Sequence, residues 1–224
     1  MTSSPHRYFI LHKPFDMVSQ FIVSHEVRCL ADLDIDFPQD IHAIGRLDKD
    51  SEGLLILTTN KKVTRLLFQS QTPHQRTYLV QVNHQLSIEN LEALRTGVAI
   101  KIKAGQFYTT PPCQVNIVDN PEKLYTLEDR LTAYPPYTWI LITLTEGKYH
   151  QVRKMITAIR HKCKRLIRVS IEDLALGQLP PGALLEIKER DFFEKLKLVK
   201  AEDTHIIVET GFEIKEEPEY TTVD

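Results

Sequence analysis

Five charged side chains, Arg46, Asp48, Lys49, Asp50 and Glu52, fall between Gly45 and Gly53, and the apolar run Leu54, Leu55, Ile56 and Leu57 follows at once. A turn gains little stability from charge at this density, because exposed ion pairs contribute little. A carboxylate held at the end of a buried strand is instead a common arrangement for chemistry on a rigid scaffold. Asp48 is the candidate reacting group. Other chemistries use similar spacing. Asp48, Asp50, Glu52 and Gly53 imitate the opening of a calcium loop, but Thr59 stands where the bidentate glutamate is required, and an apolar strand leaves no ligands to wrap the ion. Paired-carboxylate cleavage of a glycosidic bond needs two carboxylates converging on one bond, whereas residues two apart on an extended chain point to opposite sides. A salt-bridged turn is the plain alternative.

The second chemical feature is basic. Residues 148–168 carry eight Lys and Arg (Lys148, Arg153, Lys154, Arg160, Lys162, Lys164, Arg165 and Arg168) and no acid. The chain's net charge of −2 hides this density, because residues 201–224 alone carry −7 and leave +5 on the first 200. Such local density suits a polyanion more than the total charge suggests, whereas a merely solvated face mixes both signs. His150 and His161 have no partners at metal-ligand spacing and read as ordinary surface histidines.

The elements that must hold these groups follow from periodicity. Residues 8–11, 41–44 and 54–58 read as strands, with a short helix over 27–33. Asn60 suits the N-cap of a helix over 61–68. Residues 77–82 alternate, placing Tyr78, Val80 and Val82 on one face. Ser87 caps a helix to Arg95 with Ile88, Leu91 and Leu94 inward, stopped by Gly97. Strands are expected over 98–102, 113–118, 138–145, 166–176 and 184–187, with a helix over 150–160 and a short last helix capped by Asp191. Residues 119–136 read as a long loop or insertion. Residues 205–208 form a candidate edge strand, and the final dozen residues have the composition of a disordered tail. The pattern predicts an α+β fold with a mixed or mostly antiparallel sheet.

At 224 residues with 42% hydrophobic and 26% charged residues, the composition is that of a soluble globular protein. No apolar run reaches the roughly 18 residues of a membrane span, and the first residues lack the pattern of a secretory signal. Three widely spaced cysteines, Cys29, Cys113 and Cys163, argue for reduced thiols in the cytoplasm rather than a disulfide or zinc framework.

Four segments in one order carry a resemblance. They are Lys13-Pro14-Phe15-Asp16, the loop 45–53 with its strand, Arg76-Thr77-Tyr78-Leu79-Val80, and residues 146–155 (Glu-Gly-Lys-Tyr-His-Gln-Val-Arg-Lys-Met) followed by Leu166-Ile167-Arg168-Val169. Together they resemble the RsuA-type pseudouridine synthases, over most of residues 8–187. The resemblance implies a catalytic aspartate at Asp48, an active-site tyrosine at Tyr78, an aspartate-pairing arginine at Arg153 and an arginine at Arg46 that helps displace the target base. It implies a long mixed sheet shared by two α/β lobes, roughly 1–60 with part of the C-terminal strands and 61–200, with a cleft across the middle. Residues 1–200 are then the catalytic domain, without the S4-type RNA-binding module of many relatives, and 201–224 an acidic extension.

The reaction implied is isomerisation of a uridine without any cofactor or metal. An ionised Asp48 works at the ribose, an arginine opposite it orients the carboxylate, and Tyr78 offers a flat face to the extruded base. The short form is most like a branch acting on large-subunit ribosomal RNA, so the expected partner is bacterial 23S rRNA, bound by a monomer. Lys13, Arg46, Lys148, Gln151, Lys154, Lys162, Lys164 and Arg165 are the expected RNA-binding residues. A non-catalytic RNA-binding or ribosome-assembly protein on the same scaffold, or a synthase for another RNA, is the alternative.

Overall fold

All six residues of the first strand, Tyr8–Lys13 (β1), are buried, as expected where a strand lies inside a sheet covered on both faces. The computed structural model describes residues 5–68, 73–127 and 136–198. After β1 come His42–Ile44 (β2), Glu52–Thr58 (β3), the helix Lys62–Phe68 (α1), Arg76–Asn83 (β4), the helix Ile88–Thr96 (α2), Ala99–Lys101 (β5) and Phe107–Thr109 (β6). Gln114–Ile117 (β7), Tyr137–Leu144 (β8), the helix Gln151–Ala158 (α3), Cys163–Ile171 (β9), Leu174–Ala175 (β10), Leu184–Ile187 (β11) and the helix Glu189–Lys195 (α4) follow.

Nine strands form one mixed sheet along the path β11-β1-β3-β9-β4-β8-β7, with β2 added to β3 and β10 to β9, while β5 and β6 pair separately. The α+β fold expected from the sequence is therefore present. Neighbours pair antiparallel except at one place: β3 meets β9 in parallel through Glu52 opposite Ile167 and Gly53 opposite Arg168. That short seam joins two halves of the sheet, and the charged loop runs directly into it.

Alternation along the strands divides the core. Val80 and Val82 face one cluster with Leu91, Ile140, Met155 and Ile156, under α2 and α3. Leu79 faces another with Leu54, Ile56, Ile167 and Phe192, under α1 and α4. Phe9, Leu11, Leu55 and Leu57 form a third cluster with Met17 and Leu30. Each fully buried aliphatic side chain contributes about 1.5–3 kcal/mol, so these clusters fix the sheet on which the site is built.

Local signals held where caps were strong. The Asn60 side chain accepts from the Lys62 amide at 3.0 Å, and the Ser87 hydroxyl accepts from Asn90 at 3.2 Å. Gly97 ends α2 at φ 112°.

Several expectations need correction. The helix expected over 27–33 is a single 3-10 turn, Leu30–Asp32, which ends where Leu33 returns to extended backbone at φ −78° and ψ 138°. Ile88 is 75% exposed, so α2 is anchored by Leu91 and Leu94 instead. Asp191 lies in the first turn of α4, whose N-cap is Lys188. The segment after residue 118 is partly packed, since Tyr125 and Leu127 lie against the second cluster. Residues 205–208 and the acidic extension lie outside the described residues.

Candidate active site

Residues 45–51 are held from both sides. On one side the Ser19 hydroxyl donates to the Leu47 carbonyl at 2.9 Å and accepts from the Leu47 amide at 3.0 Å, while the Leu47 side chain is buried in the third cluster. Lys49 pairs with Asp16 at 3.0 Å. On the other side Arg153, from α3, donates to the Asp50 carbonyl at 2.9 Å and pairs with the Asp50 carboxylate at 3.1 Å. The Ser51 amide bonds the Asp48 carbonyl at 3.0 Å and closes a turn. The sequence gives the loop its charge; these clamps give Asp48 a fixed position.

Below the loop, Glu52 and Arg165 tie β3 to β9 by a two-point ion pair, Nε to Oε1 at 3.1 Å and Nη2 to Oε2 at 2.6 Å. Both side chains are at most 5% exposed. A buried pair of this geometry is costly to break from one side, because the remaining charge is left in the interior.

Asp48 opens onto a cleft of about 500 Å³ whose walls include Arg46, Tyr78, Lys148, His150 and Arg168. The Asp48 side chain is 41% exposed, and its carboxylate lies 3.4 Å from the His150 imidazole. His150 sits at the N-cap of α3 in the left-handed region, φ 53°, which turns the chain abruptly from the loop after β8 into the helix. Its ring stacks on Tyr149, with centroids 3.8 Å apart. Tyr78 reaches the floor from β4, with its ring packed against the first cluster. The Arg168 guanidinium, 5% exposed, donates to the Leu54 carbonyl at 2.8 Å and lines the same cleft as Tyr78. Among the described residues no group of three His, Cys, Asp or Glu could hold a metal ion, and no helix is long and apolar enough to cross a membrane.

The fold brings Asp48, Tyr78 and Arg46 to one cleft. Arg153 lies behind the loop, paired with Asp50 rather than with Asp48 as expected, because its Nη2 is engaged by the Asp50 carbonyl and carboxylate and the Ser51 hydroxyl. Three of the expected RNA-binding residues are also corrected. Lys13 is fully buried and donates to the Pro14 and Met17 carbonyls at 2.7 and 2.6 Å. Gln151, 4% exposed, bonds Glu146 at 2.6 Å and caps the Lys148 amide at 2.8 Å. Arg165 is committed to Glu52. None of the three faces solvent where a phosphate could meet it. Arg46, Lys148 and Lys162 are exposed, and Lys154 and Lys164 are partly so.

Sequence reading missed His150, which it took for a surface histidine, and Arg168, which it counted toward the basic run. The signal for Arg168 was available: a lone arginine amid Leu166, Ile167 and Val169 on a strand calls for a buried partner.

Burial pushes the Lys13 ammonium down to about 8, against the favourable fields of Glu52, Asp50 and Asp48. Between pH 8 and about 10.5 the unfolded chain therefore binds more protons at this lysine than the folded one, so folding gains stability as pH rises through that window. Relative to Lys13→Met, which lacks the effect, the wild type should gain on the order of 1–3 kcal/mol from pH 8 to 10.5. Paired urea melts at several pH values read it directly, and a difference that stays flat across the window contradicts it.

A fold of this kind, with a clamped aspartate over a tyrosine-floored cleft, now has a family. The RNA pseudouridylate synthase pattern matches residues 7–158, and the chain belongs to that family of uridine-isomerising enzymes. It is 38% identical over 188 residues to the ribosomal large subunit pseudouridine synthase E of Vibrio parahaemolyticus, covering 81% of this chain and 74% of the relative. The protein of the same description from Xanthomonas axonopodis is 37% identical over 176 residues, covering 77% and 89%. A crystal structure of a pseudouridylate synthase shares the fold with a TM-score of 0.66 at 24% identity, over 88% of this chain and 76% of the other.

Proposed function

We propose that the protein converts one uridine of bacterial 23S ribosomal RNA to pseudouridine, working as a cytoplasmic monomer with Asp48 as the reacting carboxylate. The reading is carried by one observation: Asp48, clamped by its loop but 41% exposed, shares a cleft with Tyr78 and the exposed Arg46. The relatives named for the ribosomal large subunit support the substrate.

The target base must leave its stack, which costs a few kcal/mol, so a side chain that fills the gap and a pocket that accepts the base are both required. Arg46 at the rim fills the gap. Tyr78 offers the base an aromatic face and its phenol oxygen a place for the C5 proton. Asp48, ionised, works at C1′ or C2′ of the ribose while the N1–C1′ bond breaks. The uracil turns and rejoins through C5, whose proton then leaves, so the atoms balance without a cofactor. Arg153 holds the Asp48 loop through Asp50 and acts on the reaction by position. Lys148, Lys154, Lys162 and Lys164 meet phosphates around the cleft, which fixes register and gives binding its salt dependence.

Pseudouridine maps of ribosomal RNA from cells with and without this gene test the substrate. One 23S position should lose its pseudouridine on deletion and regain it when the gene is restored. Identical 23S maps would remove this RNA as the target.

A further inference from the structure

The floor of the cleft holds a cation that no carboxylate balances among the described residues. Arg168 is 5% exposed, and no carboxylate pairs with it among the described residues. Its Nε donates to the Leu54 carbonyl, a neutral group, at 2.8 Å. Its Nη2 is buried with no hydrogen-bond partner. Arg76, which also lines the cleft, adds a second positive charge close enough to oppose the first, and burial together with that repulsion lowers the Arg168 pKa from its ordinary value. A buried charge without a partner costs stability. The fold nevertheless fixes it in place, since Arg168 is the residue opposite Gly53 in the parallel seam. Such an arrangement suits a negative charge that arises during reaction.

The isomerisation supplies such a charge. When the N1–C1′ bond breaks, its electron pair stays with the base, and the departing uracil is an anion with its charge spread over N1, O2 and O4. Asp48 works on the sugar side and cannot stabilise it. We infer that Arg168 is the leaving-group residue of this enzyme, its guanidinium stabilising the uracil anion from the cleft floor. The Leu54 carbonyl, which accepts from Nε at 2.8 Å, fixes the guanidinium in place, and Tyr78 lines the same cleft. A preorganised, buried donor acts more strongly than one in solution, because it neither reorganises nor competes with solvent.

This inference rests on the pseudouridine synthase reading, and the experiment separates the two. Single-turnover rates of N1–C1′ bond cleavage, read as loss of the original N-glycoside, are measured on an RNA carrying the target uridine and on the same RNA with 5-fluorouridine there. The fluorinated base is a better leaving group, and its C5 fluorine replaces the proton lost in the last step, so that the reaction stops after the base has rejoined. Absence of pseudouridine with wild-type protein would defeat the parent reading. With an active wild type, Arg168→Gln should slow conversion of uridine by about 100-fold, with half-saturation by RNA changed by less than about twofold. On the 5-fluoro RNA the deficit should shrink to about tenfold, because the base then needs less help. Arg168→Lys, which keeps the charge without the fork, should fall between the two. A purely structural role would slow both RNAs equally, so equal deficits overturn the inference, as does an unchanged rate. Should Arg168→Gln fail to fold, Arg168→Lys carries the test: its deficit must be larger on uridine than on 5-fluorouridine.

Discussion

Replacing Asp48 by asparagine should abolish isomerisation while leaving RNA binding intact. Asparagine preserves the size of the side chain and its ability to accept a hydrogen bond from His150, which lies 3.4 Å away in the wild type. It lacks the ionised oxygen that must act at the ribose. The loop clamps involve Leu47, Lys49, Asp50 and Ser51 rather than the Asp48 carboxylate, so the backbone has no reason to move. A loss on the order of 10⁴-fold in single-turnover rate is expected, the scale seen when a group that acts only in the transition state is removed. Affinity should stay within about twofold or tighten slightly, since a carboxylate facing a polyanion gives nothing to binding. The two quantities are read by pseudouridine formation in a single-turnover assay and by RNA titration at fixed salt. Product formed at the wild-type rate would strip Asp48 of its role, and lost binding would show that the substitution disturbed the loop.

The second large effect concerns stability. Gly53 has φ +101°, and a Cβ there would run into the Arg168 carbonyl oxygen and stand 2.7 Å from the Arg168 nitrogen. Both obstacles are backbone, so neither can rotate away. Gly53→Ala therefore adds the strain of a left-handed alanine, about 1–3 kcal/mol, to a forced separation of β3 from β9. The parallel seam has just two paired positions, Glu52 with Ile167 and Gly53 with Arg168, and the Glu52–Arg165 ion pair lies beside them. A total loss of about 3 kcal/mol or more is expected, which for a chain of this size lowers the melting temperature by roughly 6–12 °C. Activity should fall as well, because the same shift displaces Arg168 beneath the cleft. A variant that melts within a degree of the wild type would mean that the strands approach less closely than described. The complementary change Gly147→Ala, where an added Cβ meets nothing within 4 Å, provides the control.

What could be read from the chain depended on how local the cause was. The Asn60 and Ser87 caps and the alternation over Tyr78, Val80 and Val82 act within a few residues, so sequence spacing reveals them. The expected 27–33 helix is one turn that ends where Leu33 returns to extended backbone, a conformation that residue types and spacing alone do not reveal. Candidate RNA contacts failed for a different reason. Lys13, Gln151 and Arg165 have the right chemistry, and only their burial, set by strands distant in sequence, turns them inward.

The sequence by itself determined the reacting aspartate's candidacy, the family resemblance and the α+β character, because these depend on residue type and short-range order. The tertiary structure decided which charges meet: His150 beside Asp48, Arg153 on Asp50, Arg165 on Glu52 and Arg168 left unbalanced under the cleft. The reason is physical. A charge's role depends on its solvation and on partners more than a hundred positions away, as for Arg168 and the Leu54 carbonyl 114 positions before it, and neither quantity exists until the strands have paired.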